Sequence, residues 1–272
     1  MADSQDVISA LAADGDAVEA LVADLADADW ARPTPAPGWT IAHQIAHLAA
    51  TFKLAGTAAA DPEAFKALAA GVGQDFDGAV QQSLKPYLAP YLASGAPKDL
   101  LERWNAERRA AEQALAAVPA GQPVPWLVRP LPAPVLAAAG MMELFGHGQD
   151  IADTLGVHRE HTDRLRYLVE FAVRTWDFGY QARGLAAPAT EFRFEITAPS
   201  GARWEFGPAD AQQRVSGPAA DFCLLVTRRR HRDDLALTAD GKDADGWLDV
   251  AQAYRGPAGE GRTPGQFRPS GN

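Results

Sequence analysis

The chain predicts an α+β protein in which an N-terminal helical bundle is followed by a small α+β domain. Three observations carry this. From Asp6 to about Leu185 the chain is rich in Ala and Leu, with apolar residues at helical spacing. After Pro188 the period changes, and Phe192, Phe194 and Ile196 alternate with charged or polar residues. The length, 272 residues, suits one large domain or two ordinary ones. The expected boundaries are a bundle over 1–186, a small domain over 187–256, and a Gly/Pro-rich tail over 257–272 that reads as an arm or disordered segment.

Each element has its own signal. Val7, Leu11, Val18, Leu21, Val22 and Leu25 form the apolar stripe of a first long helix with an acidic outer face. Pro33, Pro35 and Pro37 exclude helix between Trp30 and Gly38. Thr40 then stands as the N-cap of a second helix containing His43, Ile45, His47 and Leu48. A helical region from about Pro62 to Leu92 is expected to break around Gly71 and Gly73, and again near Pro86 and Pro90. Further helices are expected over 98–118 and 135–155, the second stopped by Gly156, and over about 163–183. A Pro-rich connector spans 119–134. Strands are expected around Phe192–Ile196, Trp204–Phe206 and Phe222–Val226, and a last helix over 244–254.

Composition excludes several classes of partner. The formal net charge is −10 and the pI near 5.0, a surface that repels phosphate backbones and anionic lipids, so neither nucleic acid nor a membrane is expected. The short basic run from Arg228 to Arg232 does not overturn this. No window approaches the about 20 apolar residues of a membrane span. The acidic N-terminus is unlike a secretory signal, and the single cysteine fits a reducing compartment, so the expected location is cytoplasmic. Cys223 lies in an apolar run and reads as a buried structural thiol. A monomer or a homodimer is expected.

Two polar pairs interrupt the apolar helices. Glu143 and His147 lie one turn apart in Met-Met-Glu-Leu-Phe-Gly-His-Gly-Gln-Asp and therefore share a face. His43 and His47 have the same spacing in Gly-Trp-Thr-Ile-Ala-His-Gln-Ile-Ala-His-Leu. Carboxylate and imidazole groups on an apolar face need partners. A divalent metal is one such partner, since catalytic sites use three His or carboxylate ligands and bundles build them from facing helices. Core histidines with hydrogen-bond partners and an i,i+4 surface pair are the other reading, and the residue pattern leaves both open.

Trp39 to Leu48, preceded by Pro37-Gly38, resembles the segment that opens the second helix of the DinB/YfiT-like metal-binding bundles, in the branch of mycothiol-dependent maleylpyruvate isomerase. Glu143-Leu-Phe-Gly-His147-Gly-Gln-Asp150-Ile is similar to that family's second ligand segment. Gly201-Ala-Arg-Trp204, Val215-Ser-Gly-Pro218 and the run from Cys223 to Arg229 resemble the small domain appended in this branch. The resemblance spans nearly the whole chain, within an actinobacterial subfamily. It implies a DinB-like four-helix bundle and a zinc-type divalent metal held by His47, Glu143 and His147. His43 falls at a position that is usually polar and is expected to support the ligands from behind or to be structural, and Asp150 and Gln149 to lie beside the site.

The resemblance further implies a small organic substrate and a thiol such as mycothiol, bound to the metal as thiolate, for isomerisation or S-transfer. Arg229, with Arg228 as neighbour, aligns with an arginine at the end of a C-terminal strand that binds an acidic substrate. Here that strand ends in Thr227-Arg-Arg, where the branch tends to have Gly-Arg. Trp39, Trp126 and Phe145 are candidate apolar lining. Metal-assisted hydrolysis on the same scaffold, or non-catalytic metal-dependent binding, are the alternatives.

Overall fold

The computed structural model describes residues 4–69, 76–127 and 129–267, so the expected interruption at Gly71 and Gly73 lies outside the described residues. The chain divides into two compact units, Met1–His158 and Arg159–Asn272. The division falls 28 residues before the expected boundary at 186/187. Helical texture continues past it, but the helix that follows packs within the second unit.

The first unit contains α1 (Ser4–Val22), α2 (Ile41–Ala60), α3 (Pro62–Ala69), α4 (Phe76–Ser94), α5 (Pro97–Ala116), the short antiparallel pair β1 (Pro123–Val124) and β2 (Leu131–Pro132), and α6 (Ala133–Leu155). Helix α2 packs on α5 and α6, and α1 packs on the same two, which closes a four-helix bundle. Ile41, Ile45, Leu48 and Phe52 of α2 and Leu136, Met141, Leu144 and Ile151 of α6 are buried in its core. Gly56 is the closest approach of α2 to α5: a Cβ there would lie 3.1 Å from Ala111 Cα. The Pro-rich connector is the β1–β2 hairpin leading into α6, and Gly156, at φ 69°, ends that helix in the left-handed conformation.

Helix α4 runs through Pro86 and Pro90 rather than breaking there. Pro90 has no N–H for the carbonyl of Pro86, one turn back. The guanidinium of Arg103 donates to that carbonyl, so the gap in the ladder is closed from α5.

The second unit contains α7 (Leu165–Arg174), α8 (Phe178–Gln181), β3 (Phe192–Thr197), β4 (Arg203–Phe206), β5 (Gln213–Pro218), α9 (Ala219–Val226), β6 (Thr238–Asp240) and α10 (Lys242–Val250). The single helix expected over 163–183 is two, broken where Thr175 turns its hydroxyl back onto the carbonyl of Phe171. The sheet order is β4-β3-β5-β6, with β3 and β5 parallel and the other pairs antiparallel. Phe194, Phe222 and Trp247 form an aromatic core with ring centroids 5.3–5.9 Å apart.

The run Phe222–Val226, expected as a strand, is the body of helix α9. Five apolar residues suit a buried helix as well as a strand, and periodicity cannot separate the two. Arg229 therefore follows a helix and not a strand. Arg228 N–H bonds Leu225 O and Arg229 N–H bonds Leu224 O, the paired closure of a helix whose next residue is left-handed. Arg228 takes that position, at φ 58°, where glycine is usual. The described part of the tail, through Phe267, makes contacts of its own. Gly265 N–H reaches both carboxylate oxygens of Asp234 at 2.8–2.9 Å, and Arg230 lies 3.8 Å over the Phe267 ring.

Helices α1 and α5 are joined through Arg108, which is 1% exposed. It donates to Asp16 (2.8 Å), Glu19 (3.1 Å), Glu112 (3.2 Å) and the carbonyl of Ala12. Removing only the cation leaves the largely buried Glu112 and the half-buried Glu19 without their positive partner, while Asp16 stays in water. Arg108→Leu should therefore cost about 3 kcal/mol in urea denaturation, as loss of one partner of a buried ion pair does.

Candidate metal centre

The loop before α2 is closed by backbone hydrogen bonds. Thr34 N–H donates to Trp39 O (2.7 Å) and Ile41 N–H to Arg32 O (3.2 Å), with Gly38 at φ 77° allowing the turn. Trp39 is thereby delivered to the start of the helix, where Thr40 is the N-cap in extended conformation. His43, three residues on, completes a capping box: its Nδ1 accepts from the Thr40 N–H at 3.3 Å and lies 2.8 Å from Thr40 Oγ1. His43 thus caps the helix that carries His47.

His47, one turn further along α2, meets α6. Its Nε2 is 3.3 Å from Glu143 Oε2, and His147 Nε2 is 3.2 Å from the same oxygen. The two imidazole centroids are 4.4 Å apart. Among the described residues, these three are the group of His, Cys, Asp or Glu side chains that could hold a metal ion, with all ligand atoms within 4.8 Å of one another. Side-chain exposures of 17%, 22% and 13% for His47, Glu143 and His147 place the cluster at the edge of the core, with one side accessible. Burial alone would raise the Glu143 pKa. The hydrogen bonds and charges of His147 and His47 outweigh it and hold the carboxyl well below its usual range.

The donor set fits a divalent cation. Ligand atoms about 2.1 Å from a tetrahedral ion lie about 3.4 Å apart. The two Nε2-to-Oε2 separations match that spacing, so a cation could enter without moving either helix.

The Trp39 ring stacks on His147 at 5.9 Å and 21° and lies 5.4 Å from His47. Of the three aromatics expected as lining, it lies against both imidazoles of the cluster. Trp126 stacks on Phe65, and Phe145, two positions from both ligands of α6, is buried away from their face. Gln149 donates to Asp153 and Asp150 is fully buried, neither belonging to the converging group. Arg229 belongs to the second unit, where it donates to Thr227 O at 2.6 Å.

Sequence reasoning missed Gln44. It is completely buried, its Oε1 lies 2.5 Å from His147 Nδ1, and its amide donates to Thr34 Oγ1 at 2.9 Å. A carboxamide inside Ile-Ala-His-Gln-Ile-Ala-His, three residues before His47 and on the same side of the helix, was the available signal. Thr51 Oγ1, 3.4 Å from His47 Nε2, was likewise unmarked.

A bundle with a His/Glu/His cluster between its second and last helices defines the DinB-like class. The chain matches the family described as mycothiol maleylpyruvate isomerase N-terminal domain over residues 11–152, and belongs to it. A second family, described as wyosine base formation, matches residues 188–240. Two uncharacterized proteins of Mycobacterium tuberculosis, from strains CDC 1551 and H37Rv, are each 44% identical over 96% of this chain and 100% of their own length. Two crystal structures of mycothiol-dependent maleylpyruvate isomerase, one of a mutant, share the fold. Their TM-scores are 0.56 and 0.55 at 14% and 15% identity, covering 87% of this chain and 92% of theirs. No helix among the described residues is long and apolar enough to cross a membrane.

The His43 cap accepts only while Nδ1 is bare, and burial lowers the His43 pKa from 6.5. Between that lowered value and 6.5 the unfolded chain binds more protons than the folded one, so this group contributes stability above 6.5 that is lost as pH falls below it. His43→Gln keeps a capping acceptor without titrating. Its stability, followed by denaturant unfolding from pH 7.5 to 5, should fall less with pH than that of the parent.

Proposed function

We propose that the protein is an enzyme that uses a small thiol of the mycothiol kind to isomerise, or transfer sulfur to, a small organic substrate at a divalent metal, zinc by the character of the donors. The observation that carries this is the convergence of His47 Nε2 and His147 Nε2 on one oxygen of Glu143 across two helices. Family membership supports the thiol, because the solved relatives are described as mycothiol-dependent isomerases.

A divalent cation held there supplies positive charge that stabilises a thiol as thiolate, the nucleophile for addition and elimination at a double bond or for displacement. The chain's own groups do the rest. Glu143 stays ionised, because its hydrogen bonds outweigh the cost of its burial. His47 and His147 present Nε2 to the same point from opposite helices. Trp39 roofs both imidazoles and keeps water from that side. Arg229 is proposed as the cation that receives a carboxylate of the substrate.

Elemental analysis of the purified protein should find about one zinc per chain, and His147→Ala or Glu143→Gln should lose it while retaining the helical circular dichroism of the parent. Zinc at a hundredfold excess over its Kd adds about 2.7 kcal/mol to folding, read as a rise of about 5 °C in Tm. Mycothiol should add a further rise only when zinc is present. Parent protein that takes up no metal, or a thiol effect indifferent to zinc, would overturn the reading. Once a turnover assay with an acidic substrate exists, Arg229→Met should raise KM and leave zinc content unchanged; an unaltered KM removes Arg229 from the proposal.

A further inference from the structure

We infer that Gln44 is a positioning residue that fixes the tautomer of His147, and that its own orientation is dictated by the backbone carbonyl of Trp39. The inference rests on the metal reading of the cluster and deepens it. It follows from the directions in which a chain of hydrogen bonds can run.

The chain begins at Trp39 O, which can only accept. Thr34 Oγ1 lies 2.9 Å from it and must use its single hydrogen there. Having spent that hydrogen, Thr34 Oγ1 can only accept from Gln44, 2.9 Å away, so the NH₂ end of the Gln44 amide faces Thr34. The carbonyl end, Oε1, then faces His147 Nδ1 at 2.5 Å. An oxygen acceptor at that distance requires Nδ1 to carry a hydrogen. In neutral His147 the bare nitrogen is therefore Nε2, the atom 3.2 Å from Glu143 Oε2.

Each alternative leaves a fault inside the protein. Flipping the amide would set its NH₂ against a hydroxyl whose hydrogen is already committed, or detach Thr34 from Trp39 O. Gln44 is fully buried, so no surface water offers a substitute partner. Histidine in water prefers to carry its hydrogen on Nε2, the wrong nitrogen for a ligand presented this way. The network reverses that preference before any ion arrives. His47 has no such support: its Nδ1 is buried without a hydrogen-bond partner. Of the two imidazoles, only His147 has its ring held from behind by a side chain in this way.

The same chain ties the loop to the site. Trp39 supplies the terminal acceptor through its carbonyl and stacks its ring on the imidazole that the chain orients. His147 is thus held by one residue from two directions.

The test uses three variants of the whole protein. Gln44→Met keeps volume and removes the acceptor. Gln44→Glu keeps an acceptor. Thr34→Val removes the hydroxyl that orients Gln44. In metal-free parent protein, nitrogen chemical shifts should report neutral His147 with hydrogen on Nδ1. Gln44→Met should move the population toward hydrogen on Nε2 and weaken zinc binding, measured by chelator competition, by about 10- to 100-fold, the usual cost of losing such a support. Gln44→Glu keeps the acceptor for Nδ1 and should retain the parent tautomer, while losing the donation to Thr34 and with it some stability. Thr34→Val should weaken zinc severalfold, and it decides the matter if Gln44→Met does not fold. Parent-like tautomer and zinc affinity in Gln44→Met, or in Thr34→Val should Gln44→Met not fold, would overturn the inference. The tautomer is read without metal. A parent that binds no zinc therefore defeats the metal reading, while the shifts still report whether Gln44 orients His147.

Discussion

The first unit is organised around one oxygen. Glu143 Oε2 receives an imidazole from its own helix and another from α2. Together with the Gln44–His147 bond beside it, this contact joins two helices that are otherwise largely apolar. A carboxylate placed there without partners would cost several kcal/mol. Both imidazoles must therefore arrive together, and the register of α2 against α6 must be held within a fraction of a residue. The site therefore depends on how the two helices pack, since its three side chains meet only when α2 and α6 hold this register.

Register is set at the start of α2, where the Pro-rich loop, Thr40 and His43 form one local unit. Backbone hydrogen bonds close the loop, and the capping box fixes where the first helical turn begins. Every later position on the helix follows from that start. His47 is in place because the helix has nowhere else to begin. Trp39 and Thr34, which touch or support the cluster, belong to the same loop, so capping, roofing and orientation come from ten consecutive residues. This explains why two histidines with the same spacing rule have unlike roles: the first sits within the capping turn, and the second is the first to clear it on the α6 side.

Much of this was legible in the chain. The i,i+4 spacing of Glu143 and His147 and the N-cap at Thr40 are local patterns that a helix must express in space. Their meeting with His47 could be expected only from a resemblance, since ligands 96 residues apart in sequence are joined by packing. Gln44 was hidden for a related reason. A buried amide has no periodic signature, and its value becomes visible only once its partners on α6 and in the loop are known. The misread strand at Phe222–Val226 shows the limit of short apolar runs, where helix and strand bury the same residues. Helix α4 shows a different limit. Local rules place a break at Pro86 and Pro90, and a guanidinium from α5, 17 residues away, supplies the donor that the ring removed.

The polarity of the cluster itself argues for a cation. Glu143 is ionised, the chain from Trp39 O assigns His147 its hydrogen on the far side of the ring, and the near nitrogen therefore turns a lone pair toward a carboxylate. His47 brings a second nitrogen to the same oxygen, with the Thr51 hydroxyl 3.4 Å away. Neutral His47 can donate from Nε2 to Glu143, but His147, with its hydrogen on Nδ1, faces that carboxylate acceptor to acceptor, which is unfavourable unless something positive stands between them. An added proton on His147 would resolve that contact at the cost of an imidazolium 4.4 Å from the other ring. A single divalent ion would give all three side chains a positive partner at once, and both Nε2-to-Oε2 separations already suit it.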